Sequence, residues 1–184
     1  MRDLLTLLEA KSKAEHIEII PLNYTETALQ PVLSPDTLQL HYEKLAKGYA
    51  ERYNRNEGDS DFNFAGVFLH NLLFTQYREP RKNNPPNGPI ANFINKHWRS
   101  YDDMQDAFEE EAMKLQGSNW IYLAHDGKIK TIKNHEVRND ILLLVDWWEH
   151  AWILDYGSDK KKYLKEQWKI INWNVISTRW GKSL

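Results

Sequence analysis

Apolar residues recur at helical spacing in two stretches of the first half of the chain. Ser34 followed by Pro35 is a favourable helix start, because serine caps a helix N-terminus and proline fits the first turn. We predict a helix from there to about Tyr53. Residues three and four positions apart share one face of such a helix, and here these are Leu38, His41, Leu45 and Tyr49.

A second helix is predicted from about Asp61 to Tyr77, after a polar turn at residues 54–59. Helices joined by a short loop form an antiparallel hairpin, in which His41 and His70 can face each other. The buried stripe of the second helix opens at Phe62 or Ala65 and continues through Gly66, His70, Leu73 and Phe74. Upstream, residues 1–30 are predicted to form a short amphipathic helix followed by an irregular segment.

The hydrophobic pattern changes after a linker at residues 81–88, which is rich in proline and asparagine. Helices are predicted at about 89–98, 101–115, 160–168 and 172–180, and strands at about 120–124, 128–133 and 141–145. His125, Asp126 and Gly127 are predicted to form the hairpin turn between the first two strands. The pattern therefore predicts an N-terminal extension with a helical-hairpin domain over residues 1–85, and a C-terminal domain of helices and strands over residues 86–184.

Length and composition narrow the class of protein. The 184 residues suffice for one sizeable domain or two small lobes that share a core, and 41% hydrophobic with 27% charged residues is typical of a globular protein. The net charge of −2 gives no argument for a nucleic-acid or membrane partner, and no stretch approaches the roughly 20 apolar residues of a membrane span. The absence of cysteine excludes disulfides, thiolate zinc sites and cysteine nucleophiles. The N-terminal apolar run is too short for a signal peptide, so we expect a cytoplasmic protein.

The most informative chemistry lies at the end of an aliphatic strand. Asp146 follows the apolar run 141–145, and His150 comes four residues later, beside two tryptophans. An unpaired charge in such surroundings costs several kcal/mol, and a metal ion is one of the few partners that would make it favourable. Together with His41 and His70, the set of three imidazoles and one carboxylate suits iron, manganese, zinc or copper. Each histidine taken alone is more often a hydrogen-bonded core residue, and Asp146 and His150 alone could be a strand-end cap and a helix residue.

Five sequence blocks, in order, resemble the iron/manganese superoxide dismutases over about residues 34–175. The family's D-x-W-E-H-A-Y corresponds here to Asp146-Trp147-Trp148-Glu149-His150-Ala151-Trp152, and its Y-L-x-x-F-W-x-x-x-N-W to the segment from Tyr163 to Trp173. These two blocks are specific. The first two blocks, from His41 to Tyr49 and from Phe62 to His70, are weaker alone, and the remaining block runs from Gly117 to Trp120. The first 20 or so residues have no counterpart in the family.

The resemblance implies an α+β fold, an enzyme and a cofactor. An N-terminal antiparallel helical hairpin would be joined to a C-terminal α/β lobe with a three-stranded antiparallel sheet, and the metal would lie between the lobes. The reaction would be the conversion of superoxide to oxygen and hydrogen peroxide by one iron or manganese ion per subunit. The family's four ligands correspond to His41, His70, Asp146 and His150.

The resemblance also implies roles around the metal. Tyr49 corresponds to the gateway tyrosine that helps deliver protons, and Trp120, Trp148 and Phe74 to aromatic walls of the site. In most of the family a glutamine bonds the metal's solvent ligand. One of its two usual positions is Gly66 here, so we expect His135 to replace it, with a surface loop as the alternative.

Further roles concern the substrate and a second subunit. Lys160 lies near a family arginine in the entrance funnel and could attract superoxide. Glu149 corresponds to a glutamate that bonds the partner subunit's His150, which implies a homodimer and leaves a tetramer open.

Three positions depart from the family pattern. Leu45 and Ile153 replace a histidine and a tyrosine that usually meet across the dimer interface, and Leu144 replaces a small residue or threonine. Replacing both members of a buried polar pair can be nearly neutral, so we expect an apolar Leu45–Ile153 contact instead. The competing hypotheses are a non-catalytic relative, which would have no reason to keep four ligands, and a hydrolase or oxygenase, for which four protein ligands leave too few open positions.

Overall fold

The computed structural model describes residues 16–181 of the chain. The predicted N-terminal helix at Leu4–Leu8 lies outside these residues. Residues 16–33 contain no regular helix or strand but are held against the helices that follow. Ile17 is buried, and its amide donates to Asn54 Oδ1 at 3.0 Å. The amide of Ile20 donates to Asn71 Oδ1 at 2.7 Å, so the segment is tied to both helices of the hairpin.

The first helix of the hairpin is continuous but not uniform. It consists of α1 (Pro35–Leu38), a π-helical stretch (Gln39–Ala46) and α2 (Lys47–Asn54). Ser34 caps it as predicted, with its side chain accepting from the amide of Thr37. The wider π turn closes hydrogen bonds over five residues, as from the amide of Lys47 to the carbonyl of Tyr42.

That π turn changes which residues are buried. The regular helical period placed Leu45 on the same buried face as His41 and Tyr49, but Leu45 is only half-buried. Ala46, five residues after His41, is fully buried in its place. The difference follows from the local hydrogen-bond pattern, which composition does not reveal.

The second helix of the hairpin, α3 (Ser60–Thr75), is the centre of the molecule. Asp59 caps its N-terminus. A single buried stripe was predicted, but every residue from Asn63 to Phe74 is buried. The helix is enclosed because α2 and the π-helical stretch pack on one side and the sheet packs on the other. An amphipathic stripe is the pattern of a surface helix, whereas a helix buried all round is apolar on every face.

The C-terminal half contains helices and one sheet, which confirms the α+β class. Its helices are α4 (Gly88–Trp98), α5 (Tyr101–Met113), α6 (Ile153–Tyr156), α7 (Lys160–Gln167) and α8 (Trp173–Gly181), with 3₁₀ turns at Glu149–Ala151 and Trp168–Ile170. The strands are β1 (Asn119–Ala124), β2 (Ile129–Lys133) and β3 (Ile141–Asp146), in the antiparallel order β2-β1-β3. Trp120 lies opposite Asp146 in the β1–β3 register.

Within the part of the chain that the structure describes, β3 pairs with β1 on one side only, which leaves its other edge free of a strand partner. The buried side chain of Gln76, at the end of α3, covers part of that edge. Its Nε2 donates to the carbonyl of Leu144, and its Oε1 accepts from the Leu144 amide at 3.2 Å. Arg179 of α8 donates to the same Oε1 at 3.1 Å. An amide side chain thus replaces a strand partner two residues before Asp146. Within residues 16–181, no helix is long and apolar enough to cross a membrane.

Candidate metal centre

Four side chains converge where the helical hairpin meets the end of β3. His41 comes from the π-helical stretch, His70 from the middle of α3, Asp146 from the end of β3, and His150 from the 3₁₀ turn after it. One ligand-type atom of each lies within 4.8 Å of the others. His41, His70 and Asp146 are buried, and His150 is half-buried. The sequence-predicted ligand set is therefore brought together from three distant parts of the chain.

Asp146 Oδ2 is the common point of the cluster. It lies 3.0 Å from Nε2 of His41, 3.3 Å from Nε2 of His150 and 3.9 Å from Nε2 of His70. The other carboxylate oxygen, Oδ1, accepts from the amide of Trp148 at 2.7 Å, which fixes the orientation of the carboxylate. Burial raises the pKa of Asp146, but His150 and His41 outweigh it and hold the pKa well below its usual range. The carboxylate is therefore ionised.

His70 presents a lone pair to the centre of the cluster. Nδ1 of His70 lies 2.6 Å from the carbonyl oxygen of Gly66, which can only accept, so Nδ1 carries the proton and Nε2 does not. Burial lowers the pKa of His41 and takes that of His70 well below its usual value. Neither His41 Nε2 nor His70 Nε2 has a well-directed hydrogen-bond partner among the described residues. Buried polar atoms without hydrogen-bond partners destabilise a fold. A metal ion at the centre of the cluster would give both Nε2 atoms a partner.

The donor set therefore fits a metal. Three imidazoles and one carboxylate, with one donor atom of each within 4.8 Å of the others, are suited to a first-row transition ion. The hydrogen bond from Nδ1 of His70 to the Gly66 carbonyl also fixes the orientation of the ring. Proteins usually orient a metal-binding imidazole in this way.

Comparison with known proteins agrees with this chemistry. The family model described as iron/manganese superoxide dismutases, C-terminal domain, matches residues 86–179. The manganese/iron superoxide dismutase of Porphyromonas gingivalis is 33% identical over 190 residues, which span 89% of this chain and 98% of the relative. The iron superoxide dismutase of Bacteroides fragilis is 30% identical over 189 residues, which span 88% of this chain and 98% of the relative. The iron superoxide dismutase of Pyrobaculum aerophilum is 28% identical over 193 residues, which span 89% of this chain and 92% of the relative.

The chain belongs to the iron/manganese superoxide dismutase family. Aromatic rings lie around the cluster. Phe74 lies 5.0 Å from the ring of His41, Trp120 lies 5.1 Å from that of His70, and Trp148 lies 5.7 Å from that of His150, measured between ring centroids. These are the three residues predicted to wall the site. Such a wall excludes water and strengthens the electrostatic interactions inside.

His135 lies beside the cluster in this family member. Its ring is buried, with its centroid 5.8 Å from that of His70 and 4.6 Å from that of Tyr49. Asn134, with a φ of 57°, turns the chain inward after β2. Burial lowers the pKa of His135 to about 4. Neither ring nitrogen has a partner with good hydrogen-bond geometry, although the Phe62 carbonyl lies near enough to favour the protonated form. The alternative of a surface loop does not describe this buried ring.

Phe62 is a site residue that sequence reasoning missed. Its ring stacks on that of His135 at 4.5 Å with an interplanar angle of 25°. The sequence signal was present in the block Phe62-Asn63-Phe64-Ala65, but there Phe62 was interpreted only as the start of a buried stripe. Phe62, Tyr49 and Trp148 together clamp His135 on three sides.

The remaining predicted residues lie further out. Glu149 is exposed on the turn that carries His150. The ammonium of Lys160 lies 5.0 Å from the ring of Trp152 and 5.9 Å from that of Trp147.

Proposed function

We propose that His41, His70, Asp146 and His150 hold the one iron or manganese ion with which this enzyme converts superoxide into oxygen and hydrogen peroxide. The reaction and the pair of metals are those of the family. The observation that supports the ligand assignment is the convergence of the four donor atoms within 4.8 Å, with two buried imidazole nitrogens that have no well-directed hydrogen-bond partner among the described residues.

A bound iron or manganese ion supplies the one-electron redox chemistry of dismutation. The protein's part is to hold the ion and to handle protons, because two superoxide anions consume two protons when they form oxygen and hydrogen peroxide. Asp146 provides the negative charge, and its fixed Oδ1 leaves Oδ2 to face the ion. His70 keeps its proton on Nδ1 and presents Nε2.

We assign proton delivery to Tyr49 and His135. Burial, aided by the charge of Asp146, raises the pKa of Tyr49 to about 12, so its hydroxyl stays protonated and can donate at neutral pH. His135 is neutral at the same pH and has ring nitrogens without well-directed protein partners. Those nitrogens are available for a hydrogen bond to solvent at the metal. His135 thereby takes the place that a glutamine holds in most of the family.

We further propose a homodimer. Glu149 is exposed beside His150, and Ile153 and Leu154 expose 37% and 55% of their surface on the helix that follows. Large exposed apolar side chains next to a charged one are typical of an interface. Glu149 would bond the partner subunit's His150, and Leu45, which is half-buried, would meet the partner subunit's Ile153.

The remaining proposals concern organisation and location. We place the boundary between a helical-hairpin domain and an α/β domain in the linker at residues 81–88. We propose a cytoplasmic enzyme, on the strength of a chain without cysteine and of relatives from bacteria and archaea.

The test is dismutation of superoxide by the purified protein, stripped of metal and reloaded separately with iron and with manganese. Activity with at least one of the metals, lost again on removal of the ion, is the expected result. Activity with one metal alone would identify the cofactor. Stoichiometric binding of both metals without activity from either would overturn the proposal and leave a non-catalytic member of the family.

A further inference from the structure

Arg52 lies directly over the gateway tyrosine. It is one helical turn after Tyr49 on α2, and its guanidinium carbon is 4.8 Å from the centroid of the Tyr49 ring. Its Nε donates to Asn63 Oδ1 at 3.2 Å, which bridges the two helices of the hairpin. Asn63 is itself buried and fixed by a hydrogen bond from its Nδ2 to the carbonyl of Glu57 at 2.8 Å.

A glycine leaves room for this arrangement. A Cβ atom on Gly48 would lie 3.1 Å from Nη1 of Arg52, which is tighter than ordinary van der Waals contact. The guanidinium therefore rests on the bare backbone of Gly48 and on the face of Tyr49. Three contacts hold a long, exposed side chain in one place.

Arg52 differs from the neighbouring cations in having no acidic partner among the described residues. Lys47 pairs with Glu43 at 2.6 Å, and Arg55 pairs with Glu51 at 3.1 Å and Glu57 at 3.8 Å. Within residues 16–181, no carboxylate lies within ion-pairing distance of Arg52. Its partners are a neutral amide and a neutral ring, so its positive charge is not cancelled locally.

The charge is close to the metal centre. The Tyr49 ring under the guanidinium lies 5.5 Å from the ring of His70 and 4.6 Å from that of His135. A positive charge at the rim of a cleft with low-dielectric walls raises the local concentration of an anionic substrate.

We propose that Arg52, held by Asn63 and Tyr49, is the cation that draws superoxide to the metal centre in this enzyme. This inference rests on the proposed function, because it needs an anion that reacts at the cluster. It assigns to Arg52 the role that the family pattern suggested for Lys160. The ammonium of Lys160 instead lies over Trp152 and Trp147, and no described contact joins it to Tyr49.

The test compares Arg52→Gln with Arg52→Lys, Lys160→Gln and the matched control Arg55→Gln, which removes a neighbouring but paired cation. Each metal-loaded variant is assayed for kcat/KM over a range of ionic strength. Azide affinity is measured by optical titration as a second readout that does not depend on turnover. Arg52→Gln is expected to lower kcat/KM and azide affinity about two- to fivefold at low salt, with the difference vanishing as salt screens the charge. Arg52→Lys should restore most of the loss.

Three results would overturn the inference. The first is unchanged kcat/KM and azide affinity in Arg52→Gln at low salt, and the second is a smaller loss in Arg52→Gln than in Lys160→Gln. The third is a loss of equal size at every ionic strength, which would mean that Arg52 matters for packing and not for steering. If the wild-type protein has no dismutase activity with either metal, the proposed function fails. An active wild type with an unaffected Arg52→Gln variant refutes only the role of Arg52.

Discussion

The imidazole of His135 occupies the space that a side chain on Gly66 would need. A Cβ atom built on Gly66 would lie 2.9 Å from Nδ1 of His135 and 2.8 Å from Cγ of Tyr49. Real Cβ atoms do not approach other heavy atoms so closely. A side chain on Gly66 and the present positions of the His135 and Tyr49 rings therefore exclude each other.

We predict that Gly66→Ala destabilises the protein by about 1–3 kcal/mol, the usual range for overpacking a core. The added methyl group must displace both Tyr49 and His135. The free energy of unfolding, measured in urea, checks this, with Gly181→Ala as the control because no atom lies within 4 Å of its Cβ. Adding His135→Ala should recover part of the loss. A fully stable Gly66→Ala variant would show that the two rings are not fixed as described.

Gln76 is predicted to be needed for stability and for metal retention. Gln76→Leu removes both partners of Leu144 on the free edge of β3 and one acceptor of Arg179. Each unsatisfied buried group costs about 1–3 kcal/mol, so we expect the amide and carbonyl of Leu144 together to cost about 2–6 kcal/mol. Because Leu144 lies two residues before Asp146, metal content should fall as well. Gln116→Leu, on an exposed residue, is the control and should change neither quantity.

The metal-free protein is predicted to lose stability in mild acid. Burial lowers the pKa of His135 from 6.5 to about 4, so between these values the unfolded chain binds a proton that the folded chain does not. The contribution of His135 to the free energy of unfolding is fully present above pH 6.5 and is lost as the pH falls towards 4. The loss is about 3 kcal/mol for this one histidine. Urea unfolding of the metal-free wild type and of His135→Gln, at pH 7 and at pH 4, measures the difference. Equal pH dependence in the two proteins would contradict the lowered pKa.

Glu149→Ala is predicted to weaken the dimer and the metal site together. The substitution would remove a bond to the partner subunit's His150, so both dimer dissociation and loss of metal should increase. Sedimentation and metal analysis on the same samples test the coupling. Glu26→Ala, another exposed glutamate, should change neither. A Glu149→Ala protein that remains a fully loaded dimer would refute the role.

Much of this fold could be predicted from the sequence because its signals are local. The capping by Ser34, the turn at residues 125–127 and the aliphatic run before Asp146 each follow from residues close together in the chain. The helical hairpin predicts that His41 and His70 can face each other, and their residue types with Asp146 and His150 suit a metal. That the two pairs meet at one ion was implied by the family resemblance, since no local pattern links residues so far apart.

Other features of the fold and the site depend on how its elements pack together, and they could not be predicted from the sequence. The π turn moves burial from Leu45 to Ala46, and α3 is enclosed on all sides. The stacking of Phe62 on His135 and the edge contact of Gln76 with Leu144 join residues more than sixty positions apart. Such pairs are set by how the helices and the sheet come together, and a single sequence carries no pattern that marks them.

The most direct test of the ligand assignment is the metal content of purified His150→Ala against wild type and His16→Ala. His150 is one of the four converging ligands, whereas His16 is exposed and outside the cluster. We expect about one iron or manganese ion per chain in the wild type and in His16→Ala, and little or none in His150→Ala. Full metal content in a folded His150→Ala protein would contradict the four-residue site.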